Sequence, residues 1–204
     1  MMKIAICPGH HKARQGAINK KHNLNEHDEA KLIAFNAADI LKNTGHEVEI
    51  IIGKLADKVA KINAGDFDLA LDLHFNADAD HLDPNDLDDS RGHGCMVMYC
   101  PQAKDYGDDE PGSLRGQQAY LMSESMSKTI GNRNLGGRAG WYWGSNPPEK
   151  KDYFLRKTNC AAFIPEFGYI DNNGFAEAWL VPGYHKGLAE ALVNGINAAF
   201  PVAV

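Results

Sequence analysis

Apolar residues recur along this chain in two alternating rhythms. Ile4, Ala5, Ile6 and Cys7 form a short β-type run, and a loop rich in Gly, Asn and His follows as far as Asn25. From Glu26 to Asn43 the apolar positions Ala30, Ile33, Ala34, Ala37 and Leu41 lie three and four apart, the spacing of one helix face. Asn25 is placed to cap that helix and Gly45 to end it. Residues 47–52 predict a second strand, 55–62 a short helix, and 67–75 a third strand whose near-continuous apolar character (Leu69, Ala70, Leu71, Leu73) indicates burial on both faces. Residues 94–100 predict a fourth strand, 113–130 a helix, 131–148 a long Gly-rich loop and 159–165 another apolar strand. A closing helix runs from about Gly183 to Phe200, with Leu188, Leu192, Ile196 and Ala199 on its buried face. This alternation predicts an α/β fold with three layers, a twisted and mostly parallel sheet flanked by helices. No repeat, linker or break in composition divides residues 1–204, so a single domain is expected.

Composition narrows the picture by exclusion. At 44% hydrophobic and 24% charged, the chain has ordinary globular content, which excludes disorder and fibrous repeats. Lys plus Arg total 21 against 27 Asp plus Glu, a formal charge of −6 that argues against a nucleic-acid backbone as partner. No apolar run approaches the roughly 20 residues that span a bilayer, so no transmembrane segment is expected. The apolar run after Lys3 is too short for a signal-peptide core and ends at a turn, which predicts synthesis in the cytoplasm without a Sec leader. The cysteines (Cys7, Cys95, Cys100, Cys160) have no C-x-x-C spacing, so packed, reduced thiols are expected in place of a thiolate metal site. Asp78 to Asp89 holds six aspartates but not the spacing of a calcium loop, and reads as a solvated surface loop without assigned function.

Candidate chemistry sits where predicted strands or helices begin or end, the places where open α/β sheets bind ligands. The segments are Pro8-Gly9-His10, Asn25-Glu26, Leu73-His74-Phe75-Asn76 and Pro165-Glu166-Phe167-Gly168. Two histidines and a carboxylate can hold a catalytic zinc with one position left for water, and a further carboxylate can act as general base. Taken singly, each residue also has a plainer reading. His10 and His11 are neighbours in one turn, and spacing does not choose between them. A carboxylate at Glu26 is favoured by the helix dipole alone. His74 is costlier to explain away, because a titratable ring ending an apolar strand needs a partner when buried. Glu166, following Ala161 to Pro165, poses the same question more sharply.

Together these segments resemble the zinc-dependent N-acetylmuramoyl-L-alanine amidase family (amidase type 3) of bacterial cell-wall hydrolases and phage endolysins. The resemblance spans most of the chain. It is carried by Pro8-Gly9-His10 with Gly16-Ala17, by Asn25-Glu26 with Leu41 and Gly45-His46-Glu47-Val48, and by Asp68-x-x-Leu71-x-x-His74-x-Asn76-Ala77. It continues in Leu155-Arg156-Lys157-Thr158 and in Pro165-Glu166-Phe167-Gly168-Tyr169-Ile170-Asp171-Asn172. Each motif is weak alone, and their order makes the match specific. The resemblance selects His10 over His11 and Glu26 over Glu29, and implies one Zn²⁺ held by His10, Glu26 and His74, with Glu166 as catalytic carboxylate. Asn76, two residues beyond His74, is placed to hydrogen-bond a ligand or substrate amide.

The implied reaction is hydrolysis of the amide between N-acetylmuramic acid and L-alanine in peptidoglycan. The alternatives are a zinc peptidase acting on the stem peptide and a non-enzymatic peptidoglycan-binding domain. A monomer is expected, with no separate wall-binding domain, acting at the cell wall or periplasm as a phage or prophage lysin. Three features depart from the family pattern: Cys7 before Pro8 where Asp is common, the acidic insert after His74, and Trp141-Tyr142-Trp143. The aromatic trio is read either as a groove wall for sugar rings or as a lid over the core.

Overall fold

The computed structural model describes residues 1–78, 92–100, 113–140 and 152–201. Most of the acidic stretch and all of Trp141, Tyr142 and Trp143 therefore lie outside the described residues. The elements in chain order are β1 (Lys3–Pro8), β2 (Ile18–Asn19), β3 (Leu24–Asn25), α1 (Glu26–Asn43), β4 (Glu47–Ile50), α2 (Leu55–Ala64) and β5 (Leu69–Asn76). They continue as β6 (Cys95–Tyr99), α3 (Leu114–Ile130), β7 (Asn134–Ala139), α4 (Tyr153–Lys157), β8 (Ala161–Tyr169), α5 (Asn173–Ala178) and α6 (Tyr184–Ala199).

Six strands form one sheet in the order β4-β1-β5-β8-β6-β7. The first four are mutually parallel, β6 runs antiparallel to β8, and β7 is parallel to β6. Side chains alternate across this sheet and divide the core in two. Ile4, Ile6, Leu69, Leu71, Leu73 and Phe163 face a large cluster shared with α1, α3 and α6. Ala5, Cys7, Ala70, Ala162 and Ile164 face a smaller one shared with α2 and α4. This is the expected layered α/β fold. Among the described residues, no helix is long and apolar enough to cross a membrane.

Helix α1 begins and ends where the pattern places it, because local chemistry and packing agree. The Asn25 side chain accepts from Asp28 N at 3.0 Å, and Gly45 takes a left-handed φ of 90° just beyond the helix.

Three expectations need correction. Within the expected loop at 131–148, Asn134 to Ala139 forms edge strand β7. Its Gly137 marks close packing: a Cβ there would lie 2.8 Å from Tyr120 N on α3. The strand expected to stop at Pro165 runs on to Tyr169, with Pro165 paired to Val97 of β6. His74 and Glu166 consequently lie within strands, directly opposite each other in the β5–β8 register, and do not terminate them.

Candidate metal centre

The parallel strands β1, β5 and β8 lie side by side, so their C-terminal ends fall at one edge of the sheet. On β5 the face that begins with Ala70 continues through Asp72 and His74. On β8 the same face runs Ala162, Ile164, Glu166. His10 enters from the loop after β1, and Glu26 from the first turn of α1. One donor atom from each of His10, Glu26 and His74 lies within 4.8 Å of the other two.

Glu26 is the hub. Its Oε1 accepts from Phe75 N at 3.0 Å and lies 2.7 Å from His74 Nδ1. Its Oε2 accepts from Ala17 N at 2.9 Å and lies 2.9 Å from His10 Nε2. Burial pushes the Glu26 carboxyl up, but hydrogen bonds and charge from His10 and His74 outweigh it and hold the group well below the usual carboxylate range. Burial acts in the opposite sense on His74, where the charges and hydrogen bonds of Asp72 and Glu26 prevail and raise the imidazole well above its usual range.

The local backbone is shaped around this contact. His10 takes a left-handed φ of 56°, rare for a residue with a side chain. Gly16 has φ +79°, and a Cβ on it would lie 2.3 Å from Glu26 Oε2 and 2.4 Å from His10 Cδ2. Gly16 is therefore required both by its backbone and by the side chains that occupy its Cβ position. His27 is structural: it is buried and its ring Nδ1 lies 2.8 Å from Gly9 O.

Glu166 closes the other side. Its Oε2 is buried with no hydrogen-bond partner among the described residues. Burial raises this carboxyl to about 8; His74 opposes the shift, and the charges of Glu26, Asp72 and Asp152 add to it. An orphaned carboxylate oxygen is costly to bury, and the Glu166 residue that carries it lines a cavity of about 730 Å³ together with His10, Glu26, His74 and Asn76. Met96, Met98, Leu135, Arg138, Asp152 and Tyr169 complete much of the wall. The structure thus gathers all five residues singled out in the sequence. Two histidines and a buried anionic carboxylate are a donor set that fits a divalent cation such as zinc.

Sequence reasoning missed Asp72 and Lys58, which stand behind His74. Asp72 Oδ2 lies 3.2 Å from His74 Nε2, and Asp72 Oδ1 lies 3.0 Å from Lys58 Nζ. The available signal was a charge inside the apolar run Leu69 to Leu73.

Comparison with known proteins decides the family. The profile of the N-acetylmuramoyl-L-alanine amidase family matches residues 4–198. The chain belongs to this amidase family. It is 23% identical over 207 residues to N-acetylmuramoyl-L-alanine amidase CwlM of Bacillus licheniformis, covering 98% of this chain and 69% of that one. Its fold matches the catalytic domain of the amidase CwlV from Bacillus (Paenibacillus) polymyxa var. colistinus with a TM-score of 0.77 at 18% identity, each chain covered in full (100%). It also matches the catalytic domain of the CD27L endolysin, which targets Clostridia difficile, with a TM-score of 0.70 at 23% identity over 96% of this chain and 97% of that one. Membership assigns the amidase hydrolysis of an amide bond in peptidoglycan.

Proposed function

We propose that the protein is a zinc-dependent N-acetylmuramoyl-L-alanine amidase in which His10, Glu26 and His74 hold one Zn²⁺ and Glu166 is the general base. The carrying observation is the convergence of the three donors within 4.8 Å beside a buried carboxylate oxygen that has no partner. Zinc bound there supplies Lewis-acid polarisation of the scissile carbonyl and brings the pKa of water down to about 7. Glu26, held anionic, balances part of the cation's charge. A cation held beside Glu166 would favour its ionised form, and the carboxylate would then take the proton from the attacking water. As the carbon–nitrogen bond breaks, Glu166 returns that proton to the departing amine of L-alanine.

Asn76 lines the cavity, and its side-chain oxygen accepts from Ala77 N at 3.2 Å, so its amide NH₂ is the group that would donate to a substrate carbonyl. Met96, Met98 and Leu135 give the cavity wall an apolar stretch. A lysin role at the cell wall is part of the same proposal, supported by the likeness to an endolysin catalytic domain.

Digestion of purified sacculi tests the function. Mass spectrometry is expected to find stem peptides with a free N-terminal alanine and intact glycan strands; a chelator abolishes their release and added zinc restores it. Cleavage within the stem peptide, or release indifferent to chelation, overturns the proposal. A companion prediction concerns the cradle: Gly16→Ala places a methyl where Glu26 and His10 meet and weakens zinc binding by at least about tenfold, read by competition with a chromophoric chelator.

A further inference from the structure

Lys58 lies on α2, where the neighbouring buried positions Val59 and Ile62 are apolar, yet its own side chain is only 1% exposed. Burying an ammonium group is expensive unless it is paired and hydrogen-bonded. Lys58 Nζ donates to the carbonyl oxygen of Pro8 and lies 3.0 Å from Asp72 Oδ1. Each partner belongs to a strand that leads to one of the two site histidines. Pro8 ends β1, two residues before His10. Asp72 precedes His74 by two residues on the same face of β5, and its second oxygen lies 3.2 Å from His74 Nε2. On the far side of that ring, Nδ1 lies 2.7 Å from Glu26 Oε1.

An imidazole can present either nitrogen to a metal, and the hydrogen bond made by one nitrogen decides which lone pair the other offers. Here the Asp72 carboxylate, which can only accept, lies beside Nε2 and favours the proton there, and Nδ1 is the nitrogen on the Glu26 side of the ring. Stability alone gives α2 little reason to bury a lysine, because well-packed apolar residues often replace buried ion pairs at no cost. We infer that the buried Lys58–Asp72 pair is a positioning device for the metal site: Asp72 fixes His74 as an Nδ1 ligand, and Lys58 ties Asp72 to the strand end that carries His10. The inference rests on the zinc reading above. Neither residue touches substrate or reacting atoms, so both act through the histidines.

The test compares zinc affinity with thermal stability. Competition against a chromophoric chelator is run on the parental protein, Asp72→Asn, Lys58→Met and Ile62→Ala, each with its own melt. Asp72→Asn is expected to bind zinc about 10- to 100-fold more weakly, the range for groups that orient metal-bound histidines. Lys58→Met loses a smaller factor, because Asp72 stays beside His74. Ile62→Ala, which removes buried α2 packing without touching the pair, lowers the melting temperature but keeps zinc affinity within about threefold, under 1 kcal/mol. An Asp72→Asn variant with parental affinity overturns the inference, as does an Ile62→Ala variant that loses as much affinity as Asp72→Asn.

A second measurement needs no variant. Long-range ¹H–¹⁵N spectra of the zinc-loaded parental protein are expected to show His74 with Nε2 protonated and Nδ1 metal-bound. Metal on Nε2 overturns the inference even if no variant folds. A parental protein that takes up no zinc instead overturns the zinc reading and the inference with it, whereas a zinc-binding protein with indifferent variants overturns the inference alone.

Discussion

Glu166→Gln is expected to lose at least about a hundredfold in the rate of wall hydrolysis, the low end of what general acid–base groups contribute, while keeping its fold and its zinc. Gln preserves the shape of the side chain within β8 and removes only the basic oxygen. The same substitution has a second, opposite effect that separates the base from a passive wall residue. In the metal-free protein the Glu166 carboxyl is raised from 4.5 to about 8 by burial and its carboxylate neighbours. Between those two values the unfolded chain ionises this group while the folded chain holds its proton, so stability falls as pH rises through the window. Glu166→Gln removes that term. In the presence of chelator, the melting temperature of the variant should therefore rise relative to the parental protein from pH 5 to pH 8. Melts at four or five pH values, beside rates on sacculi, read both effects. Parental activity in the variant would refute the proposed base, and a pH-independent difference in melting would refute the buried, raised carboxyl.

The other large effect is expected at the proposed ligands. A His10→Ala, His74→Ala double variant should retain less than about a tenth of the parental zinc after mild dialysis and have no measurable wall hydrolysis, since a three-ligand catalytic site does not survive on one carboxylate. The fold should persist, because neither histidine belongs to the two hydrophobic clusters. It should nonetheless melt earlier. Glu26 is buried, and without the imidazoles it keeps, among the described residues, the amides of Ala17 and Phe75, a loss of charge partners of the kind that costs about 3–5 kcal/mol in buried pairs. Metal analysis and circular dichroism on one preparation check both halves. Stoichiometric zinc in the double variant would place the ligands elsewhere.

How much of this was legible in the residues depended on whether local signals agreed with the tertiary environment. Helix α1 was legible to its first and last residue, because the Asn25 cap, the apolar face and Gly45 all specify the same element. His10, Glu26, His74 and Glu166 stood out through motif order, and the fold brings them to one cavity. Strand β7 was hidden, because Gly136 and Gly137 read as loop chemistry whereas Gly137 lets β7 lie close on α3. The continuation of β8 past Pro165 was hidden too, since a proline ordinarily argues against a strand interior. Nothing in the sequence singled out Lys58 within residues 55–62, and Asp72 showed only as a charge inside the apolar run Leu69 to Leu73. Each was unreadable alone, because a buried charge makes sense only once its partner, remote in sequence, is known.

Diffraction from crystals of the zinc-loaded protein, recorded on both sides of the zinc absorption edge, tests the central claim most directly. The proposed site predicts one anomalous peak, about 2.0–2.2 Å from a nitrogen of His10, an oxygen of Glu26 and Nδ1 of His74, with Glu166 facing it across the cavity. A peak held by other residues, or zinc-loaded crystals with no peak at these three side chains, would contradict it.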